Sequence, residues 1–402
     1  MQVSPDWMGA LQQLTDAIAQ QPMSHKIVLF FDELPWLATP KSDMLSALEY
    51  FWNRHWVNDG RIKLVVCGSS ASWIMRKIIK SRGGLHNRVT RRINLKPFSL
   101  RETGEFLRHL GYPTNHEQTL RAYMAVGGVP FYLKQFRKVH SVDQNISRLL
   151  FAPDGALFDE FVEIFASLFD EAEKYEELMK LVAARQEGVF RQEIEAKNKL
   201  TGKGGTLSRR LEDLEAAGFI ASLASFGKKS RGTLYRLSDE YCYFYLKWIE
   251  PVKQQLKSDT EAAYWRSRIG TPRYHAWLGY AFENICYKHL AEIRKKLGIT
   301  GFAPVSSWRC TAARGGEGGA QIDLLFDRDD DAITLCEIKF SERPFLIDKK
   351  CAQALARKKE TFAKSTRTRK QLFLAFIAAH GIEETLYAHE LVDGVVTLSN
   401  LF

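Results

Sequence analysis

The sequence predicts an α/β protein built from three modules. Three observations carry that expectation. An apolar run, Lys26–Phe31, is followed by a helical pattern and a second apolar run, Ile62–Cys67. In the middle of the chain a helix–turn–helix pattern leads into a basic hairpin. In the last third a long helix, two strands, a basic helix and another strand succeed one another. At 402 residues the chain has room for two or three domains of roughly 150 residues each.

The elements follow in order. Trp7–Gln20 has the amphipathic spacing of a helix. Lys26–Phe31 is β-branched and aromatic without a polar break, ends in Asp32-Glu33, and reads as a parallel strand buried on both faces. Ser42–Asn58 is a helical pattern with Leu45, Leu48, Phe51 and Trp52 on one face. Ile62–Cys67 is the second strand, ending in Gly68-Ser69-Ser70, and Arg92–Pro97 reads as a third. This spacing predicts a right-handed strand–helix–strand unit. Leu100–Leu110 and His116–Val126 form a small helical subdomain ending in Gly127-Gly128-Val129-Pro130.

Helices follow at Phe158–Phe169, Tyr175–Ala184 and Arg191–Lys197. After a Gly-rich turn, Thr206–Ala217 carries Leu207, Leu211 and Leu214 at helical spacing. Phe219–Ala224 and Thr233–Leu237 then flank a basic turn. A helix–turn–helix with a trailing hairpin is a winged helix. The aromatic cluster Tyr241–Tyr245 with Trp248 reads as core. Ala276–Leu297 is a long helix. Gln321–Phe326 and Ile333–Lys339 are strands, Lys349–Phe362 a basic helix and Gln371–Ile377 a last strand.

Composition narrows the function. The formal charge is +10, and it is unevenly spread. Met75–Arg92 holds seven Lys/Arg and no acid, and Ile338–Lys370 holds eleven against three acids, which favours a nucleic acid as partner. The six cysteines form no C-x-x-C pair, which excludes a zinc ribbon and fits a reducing cytoplasm. No apolar stretch approaches the ~20 residues of a membrane helix, and no membrane partner is expected.

An apolar strand ending in Asp-Glu fits half of a nucleotide-hydrolysis site. Asp32 would hold Mg²⁺ and Glu33 would polarise the attacking water. Ser69 ends the neighbouring strand, where a side chain can sense the γ-phosphate. The other half is missing: the chain contains no G-x-x-x-x-G-K-[ST] loop, whose amides cradle phosphates. The expectation is therefore a chain that starts partway into an ATPase domain, as a truncation or as a natural form that does not bind nucleotide normally.

Phe30-Phe31-Asp32-Glu33-Leu34-Pro35-Trp36, Cys67-Gly68-Ser69-Ser70, Asn87-Arg88, Leu95-Lys96-Pro97-Phe98-Ser99 and Gly127-Gly128-Val129-Pro130-Phe131-Tyr132-Leu133 occur in this order. In them the chain resembles the archaeal-type P-loop ATPases of the AAA+/STAND group, over essentially its whole length. That resemblance implies ATP as cofactor, Arg88 as an arginine finger or sensor, and Pro130 in a Gly-x-Pro element near the adenine. It further implies a winged helix and a C-terminal nuclease-like domain.

The last module contains Asp323 and, fourteen residues on, Glu337-Ile338-Lys339. A strand period of two puts Glu337 and Lys339 on one face. Glu283 lies upstream on the long helix. Cleaving a phosphodiester needs a hard cation held by oxygens, an activated water and neutralisation of the developing charge. Asp323 and Glu337 would hold Mg²⁺, Lys339 would orient the water or neutralise charge, and Glu283 would complete the metal shell or a second site. This resembles the PD-(D/E)-x-K core of restriction-endonuclease-like folds, with Ile322 in place of the usual proline. The competing readings are a cross-strand ion pair, or a nuclease-like fold used only for binding.

In the winged helix, Ser208, Arg209 and Arg210 would contact DNA from the reading helix, and Lys228, Lys229 and Arg231 from the wing. The acids Glu212, Asp213 and Glu215 on the same helix make protein contact the competing reading. The expected architecture is α/β: an incomplete P-loop ATPase domain with a helical lid over 1–155, a winged helix over 156–255 and a restriction-endonuclease-like domain over 256–402. The expected function is that of an ATPase-family protein associated with DNA and carrying a metal-dependent nuclease-like module. The alternatives are an ATP-regulated switch or scaffold with an inactive nuclease-like fold, and a winged-helix DNA-binding regulator. The residues specify no oligomeric state.

Overall fold

A computed structural model describes residues 6–39, 41–69, 71–74, 77–78, 88–185, 187–197, 202–227, 233–256, 261–310 and 319–402. The chain divides into two compact units. One comprises residues 1–95 with 209–217, the other residues 96–208 with 218–402. Neither boundary falls at the expected 155/156 or 255/256 junctions.

In the first unit the helix Trp7–Ala19 starts where the Asp6 carboxylate accepts from the Gly9 amide at 2.7 Å. That cap satisfies one of the orphan donors of a helix N-terminus. Leu11 and Ile18, seven residues apart on one stripe, pack with Met44, Ala47, Leu48 and Phe51 of the helix Met44–Phe51. This helix continues as a π-turn, Trp52–Trp56, and the Trp56 indole N–H donates to Thr15 Oγ1 at 3.0 Å. β1 (Ile27–Phe31) and β2 (Ile62–Val66) pair in parallel, Ile27 opposite Ile62. Leu29 is buried, but Val28 and Phe30 are 62% and 59% exposed. The expected two-faced burial of this sheet is thus corrected to one face, since the apolar cluster of the two helices covers only the side of Ile27, Leu29 and Phe31. The expected third strand, Arg92–Pro97, has neither strand nor helix geometry.

The second unit begins with helices Leu100–His109 and His116–Val126, each opened by a capping box, at Ser99 and at Asn115. A helix at Val142–Leu150, missed in the sequence, has its own box at Ser141. Gly127 and Gly128 are required where the second helix ends. Gly127 takes φ +67°, and a Cβ on Gly128 would lie 2.0 Å from the Phe98 carbonyl oxygen. That closeness lets the Phe98 amide donate to the Gly128 carbonyl at 2.8 Å.

Helices follow at Glu160–Leu168, Ala172–Ala183, Arg191–Lys197 and Gly205–Ala216, and the second unit holds a small antiparallel sheet. Its strands are β3 (Val189–Phe190), β4 (Ile220–Ala224) and β5 (Thr233–Leu237), in the order β3-β5-β4. Tyr241, Phe244, Trp248, Trp265 and Trp277 are all buried, so the aromatic cluster is core.

The expected long helix after residue 276 is two helices, Pro272–Lys288 and Leu290–Lys296, broken at His289. The His289 ring is committed to the break: Nε2 accepts from the Leu100 amide at 3.1 Å and Nδ1 faces the Ile285 carbonyl at 2.8 Å. Next come β6 (Val305–Cys310), β7 (Ala320–Asp327), β8 (Ala332–Lys339), the helix Lys349–Thr366, β9 (Gln371–Ala378) and β10 (Gly394–Val396). The sheet order is β10-β9-β8-β7-β6. β6, β7 and β8 form an antiparallel meander, and β9 and β10 add in parallel. β6 and β10 were not foreseen. Ile333, Leu335, Leu355 and Phe362 pack the long helix onto the sheet.

Candidate functional site: an acid–lysine cluster in the C-terminal sheet

β7 does not keep a period of two through Asp323. Ile322 and Leu325 both join the core under the Lys349–Thr366 helix, although three residues apart they belong on opposite faces of a regular strand. The register to β6 shifts at this point, from Ser306–Leu325 to Trp308–Ile322. This is a β-bulge, a device that re-aims one side chain. Asp323 is that residue, one step beyond the Leu324–Cys336 pair that begins the ladder to β8.

Around it the structure gathers the residues the sequence singled out. On β8 the Lys339 ammonium lies 2.8 Å from Glu337 Oε1, as the shared strand face requires. Gln321 Nε2 donates to Asp323 Oδ1 at 2.9 Å and is itself held by Arg309 Nε at 3.0 Å. Glu283, on the Pro272–Lys288 helix, is buried and bonded to Arg236 of β5 at 2.5 Å. Tyr287, one turn further, donates its hydroxyl to the Asp323 carbonyl.

The charges are coupled. Burial first, then the nearby Glu283 and Glu337 carboxylates, push the Asp323 carboxyl up to about 6. Burial also pushes Glu337 upward, but Lys339 and Lys358 together outweigh it and hold this carboxyl below its ordinary value. The Lys339 ammonium is held above its ordinary value, because Glu337, with help from Asp323 and Glu283, outweighs burial.

Two members of the cluster escaped the sequence reading. Lys358 reaches Glu337 Oε2 at 2.5 Å. Its signal was phase: 358 lies three residues after Leu355 and four before Phe362, on the stripe that faces the sheet. Arg236 alternates with Leu234 on the buried side of β5, a cation at a core position of a strand.

Asp323, half-buried, and Glu337, buried, supply oxygen donors of the kind a hard divalent cation takes, though both Glu337 oxygens are paired to lysines here. Glu283 does not serve as a ligand in this arrangement, because its carboxylate is engaged by Arg236. Among the described residues no three His, Cys, Asp or Glu side chains stand close enough together to hold a metal. That corrects the expectation of a complete three-carboxylate shell. A cavity of 290 Å³ lined by Leu120, Arg121, Tyr274, Glu342 and His380, among others, shares no residue with the cluster.

In the first unit, Asp32 and Glu33 follow β1 and Ser69 follows β2, as expected of strand ends in a parallel sheet. Glu33 sits at φ +45°. Its carboxylate accepts from both the amide (3.2 Å) and the hydroxyl (3.1 Å) of Ser69. The Cys67 thiol donates to Asp32 Oδ1 at 2.7 Å, and that contact pushes the thiol upward. Asp32, Glu33 and Ser69 thus form one polar cluster at the strand ends. Arg88 is exposed. In the second unit, Pro130 is the first residue of a short helix, Pro130–Lys134, and is exposed.

On the helix Gly205–Ala216, Arg209 is exposed and shares the exposed positions with Glu212 and Glu215, whereas Arg210 and Asp213 are buried. The Ser208 hydroxyl accepts from Arg191 Nη2 at 2.9 Å. The wing residues Lys228, Lys229 and Arg231 lie outside the described residues, as do Ser70 and Asn87.

Residues 2–136 match a family described as an ATPase domain predominantly from Archaea. Residues 245–355, which include Glu283, Asp323, Glu337 and Lys339, match a family of archaeal and bacterial proteins of unknown function. The chain is 25% identical over 322 residues to an uncharacterized protein of Methanocaldococcus jannaschii, covering 78% of this chain and 68% of that protein. It is also similar to the Walker-type ATPase of Pyrococcus abyssi, at 16% identity and a TM-score of 0.43, over 61% of this chain and 69% of that one. The first of these matches likens about a third of the chain, residues 2–136, to an archaeal ATPase domain. Among the described residues no helix is long and apolar enough to cross a membrane.

Proposed function

We propose that this ATPase-family chain carries, in residues 256–402, a metal-dependent nuclease-like module that cleaves DNA phosphodiesters. The observation that carries the reading is the clustering of Asp323, Glu337 and Lys339 at a bulge, with Asp323 raised first by burial and then by its carboxylate neighbours. Asp323 and Glu337 would hold Mg²⁺ or Mn²⁺, which supplies Lewis-acid activation of water and of the phosphate. Lys339 places a fixed ammonium beside the carboxylates, where it neutralises charge on a phosphate oxygen. Lys358 keeps Glu337 ionised and oriented. The basic segment Ile338–Lys370 gives a polyanion its electrostatic attraction. In the first unit Asp32, Glu33 and Ser69 would face Mg²⁺-nucleotide.

A second reading concerns the winged helix. Its exposed residues pair Arg209 with Glu212 and Glu215, and Arg210 is buried. That mixture suits a protein surface better than a phosphate backbone, so the winged helix is proposed to bind protein.

The test is plasmid cleavage at saturating Mn²⁺. Lys339→Ala should cut slower by on the order of 10²-fold, the usual effect of removing one electrostatic stabiliser. Cutting that the substitution leaves untouched removes the site assignment. Absence of metal-dependent cutting in the wild type favours the scaffold reading.

A further inference from the structure

The C-terminal sheet ends on a cavity that the acid–lysine cluster does not use. β8, β9 and β10 run parallel. Each carries a residue of the cavity wall just past its carboxyl end: Phe340 after β8, His380 after β9 and Leu398 after β10. In open α/β sheets, ligands bind in the crevice beyond the carboxyl ends of the strands. The helix His116–Val126 closes the cavity with Glu117, Leu120, Arg121 and Met124, which share one helical face. Tyr274 and Leu278, one turn apart on Pro272–Lys288, form the remaining wall. The volume of 290 Å³ lies close to the lower end of the roughly 300–1,000 Å³ usual for ligand pockets.

The wall is divided in its chemistry. Leu120, Met124, Leu278 and Leu398 are buried and make an apolar floor. Arg121 is compensated by Asp143: its Nη1 lies 3.2 Å from Asp143 Oδ2, and the Trp265 indole N–H donates to Oδ1 at 3.2 Å. Glu117 Oε1 lies 3.8 Å from His380 Nε2, beyond hydrogen-bonding distance. Glu342 makes no hydrogen bond or ion pair among the described residues. With His380 neutral, the charges of Glu117 and Glu342 are left uncompensated beside the apolar floor.

Tyr274 is the wall residue that packing does not explain. It is 3% exposed, and its ring lies 5.7 Å from that of Trp265 and 5.6 Å from that of Trp277. A phenylalanine would fill the same space. The hydroxyl has no hydrogen-bond partner among the described residues, and a buried hydroxyl left unpaired is costly. The charges that act on it are those of Arg121, Asp143 and Glu342, which places it on the polar side of the cavity.

We propose that this cavity binds an aliphatic diamine. One ammonium sits at Glu342 and the Tyr274 hydroxyl, the other at Glu117, and the methylene chain lies on Leu120, Met124, Leu278 and Leu398. Two ammonium groups answer the two uncompensated carboxylates, and the tyrosine oxygen accepts from one of them. A phosphate or a dicarboxylate would meet Glu117 and Glu342 as like charges. An inorganic cation has no apolar surface to lay on the floor. The proposal uses none of the acid–lysine cluster's residues, so it stands apart from the metal-dependent reading.

Titration calorimetry of the full chain with cadaverine, an aliphatic diamine, tests the site. Wild type should bind it, and should not bind pimelate, the dicarboxylate on the same methylene chain. Glu342→Gln should weaken cadaverine binding at least ~10-fold, the effect of losing one hydrogen bond to a charged group. Glu342 is exposed, so this variant leaves the core untouched. Tyr274→Phe keeps the ring and should also bind cadaverine more weakly. Equal affinity in wild type, Glu342→Gln and Tyr274→Phe would reduce the effect to general attraction by surface charge and overturn the site. Binding of pimelate, or no binding of cadaverine at millimolar concentration, would overturn it as well.

Discussion

His289 is a polar residue whose burial decides its chemistry. At 2% exposure it sits at the break between two helices. Its Nε2 is an acceptor for the Leu100 amide, so the ring must be neutral to make that bond. Burial first of all, with a small push from Lys288, lowers its pKa in the folded chain. The sign follows. Below about pH 6.5, the ordinary value, the unfolded chain binds a proton that the folded chain refuses. The bond's stabilisation is therefore complete above that pH and is lost as pH falls. His289→Gln, which keeps an acceptor but does not titrate, should show a flatter fall of Tm between about pH 7 and pH 5 than wild type. Equal slopes would mean that this histidine is not the group responsible. The histidines carried no spacing motif in the sequence, and the role of this one depends on a residue 189 positions away.

Among the elements, those with strong local signals were legible and those defined by partners were not. Leu100–His109 and His116–Val126 could be read because capping boxes and apolar stripes are local. The paired β7 and β8 could be read because each is an apolar run around a central acid. β3, β6 and β10 were missed: β3 and β10 are two and three residues long, and β6 alternates Ser, Trp and Arg with no continuous apolar run. The bulge at Asp323 depends on cross-strand register, which a single strand does not encode. Arg92–Pro97 had strand propensity but pairs with no strand among the described residues. Gly127-Gly128 was legible as a motif, and the structure supplies its cause, the 2.0 Å approach to Phe98. Gly128→Ala must push the Phe98 segment away, and should destabilise the chain by roughly 1–3 kcal/mol, as overpacking does. Chemical denaturation measures this, and an unchanged midpoint would show that the contact yields freely.

At the scale of the whole molecule, residues 2–136 match an archaeal ATPase domain and residues 245–355 match a separate family of unknown function. The sequence located Asp323, Glu337 and Lys339 and placed them on neighbouring strands. It could not foretell that Glu283 would face Arg236 or that Lys358 would share Glu337, because both contacts join elements far apart in the chain. The account therefore depends on whether the remaining carboxylates hold a metal.

Anomalous diffraction from crystals soaked in saturating Mn²⁺ asks this most directly. The account predicts a peak bonded to carboxylate oxygens of Asp323 and Glu337, at roughly the 2.0–2.6 Å typical of hard divalent cations on oxygen. A cluster that stays empty under those conditions, with Lys339 and Lys358 still paired to Glu337, would contradict it.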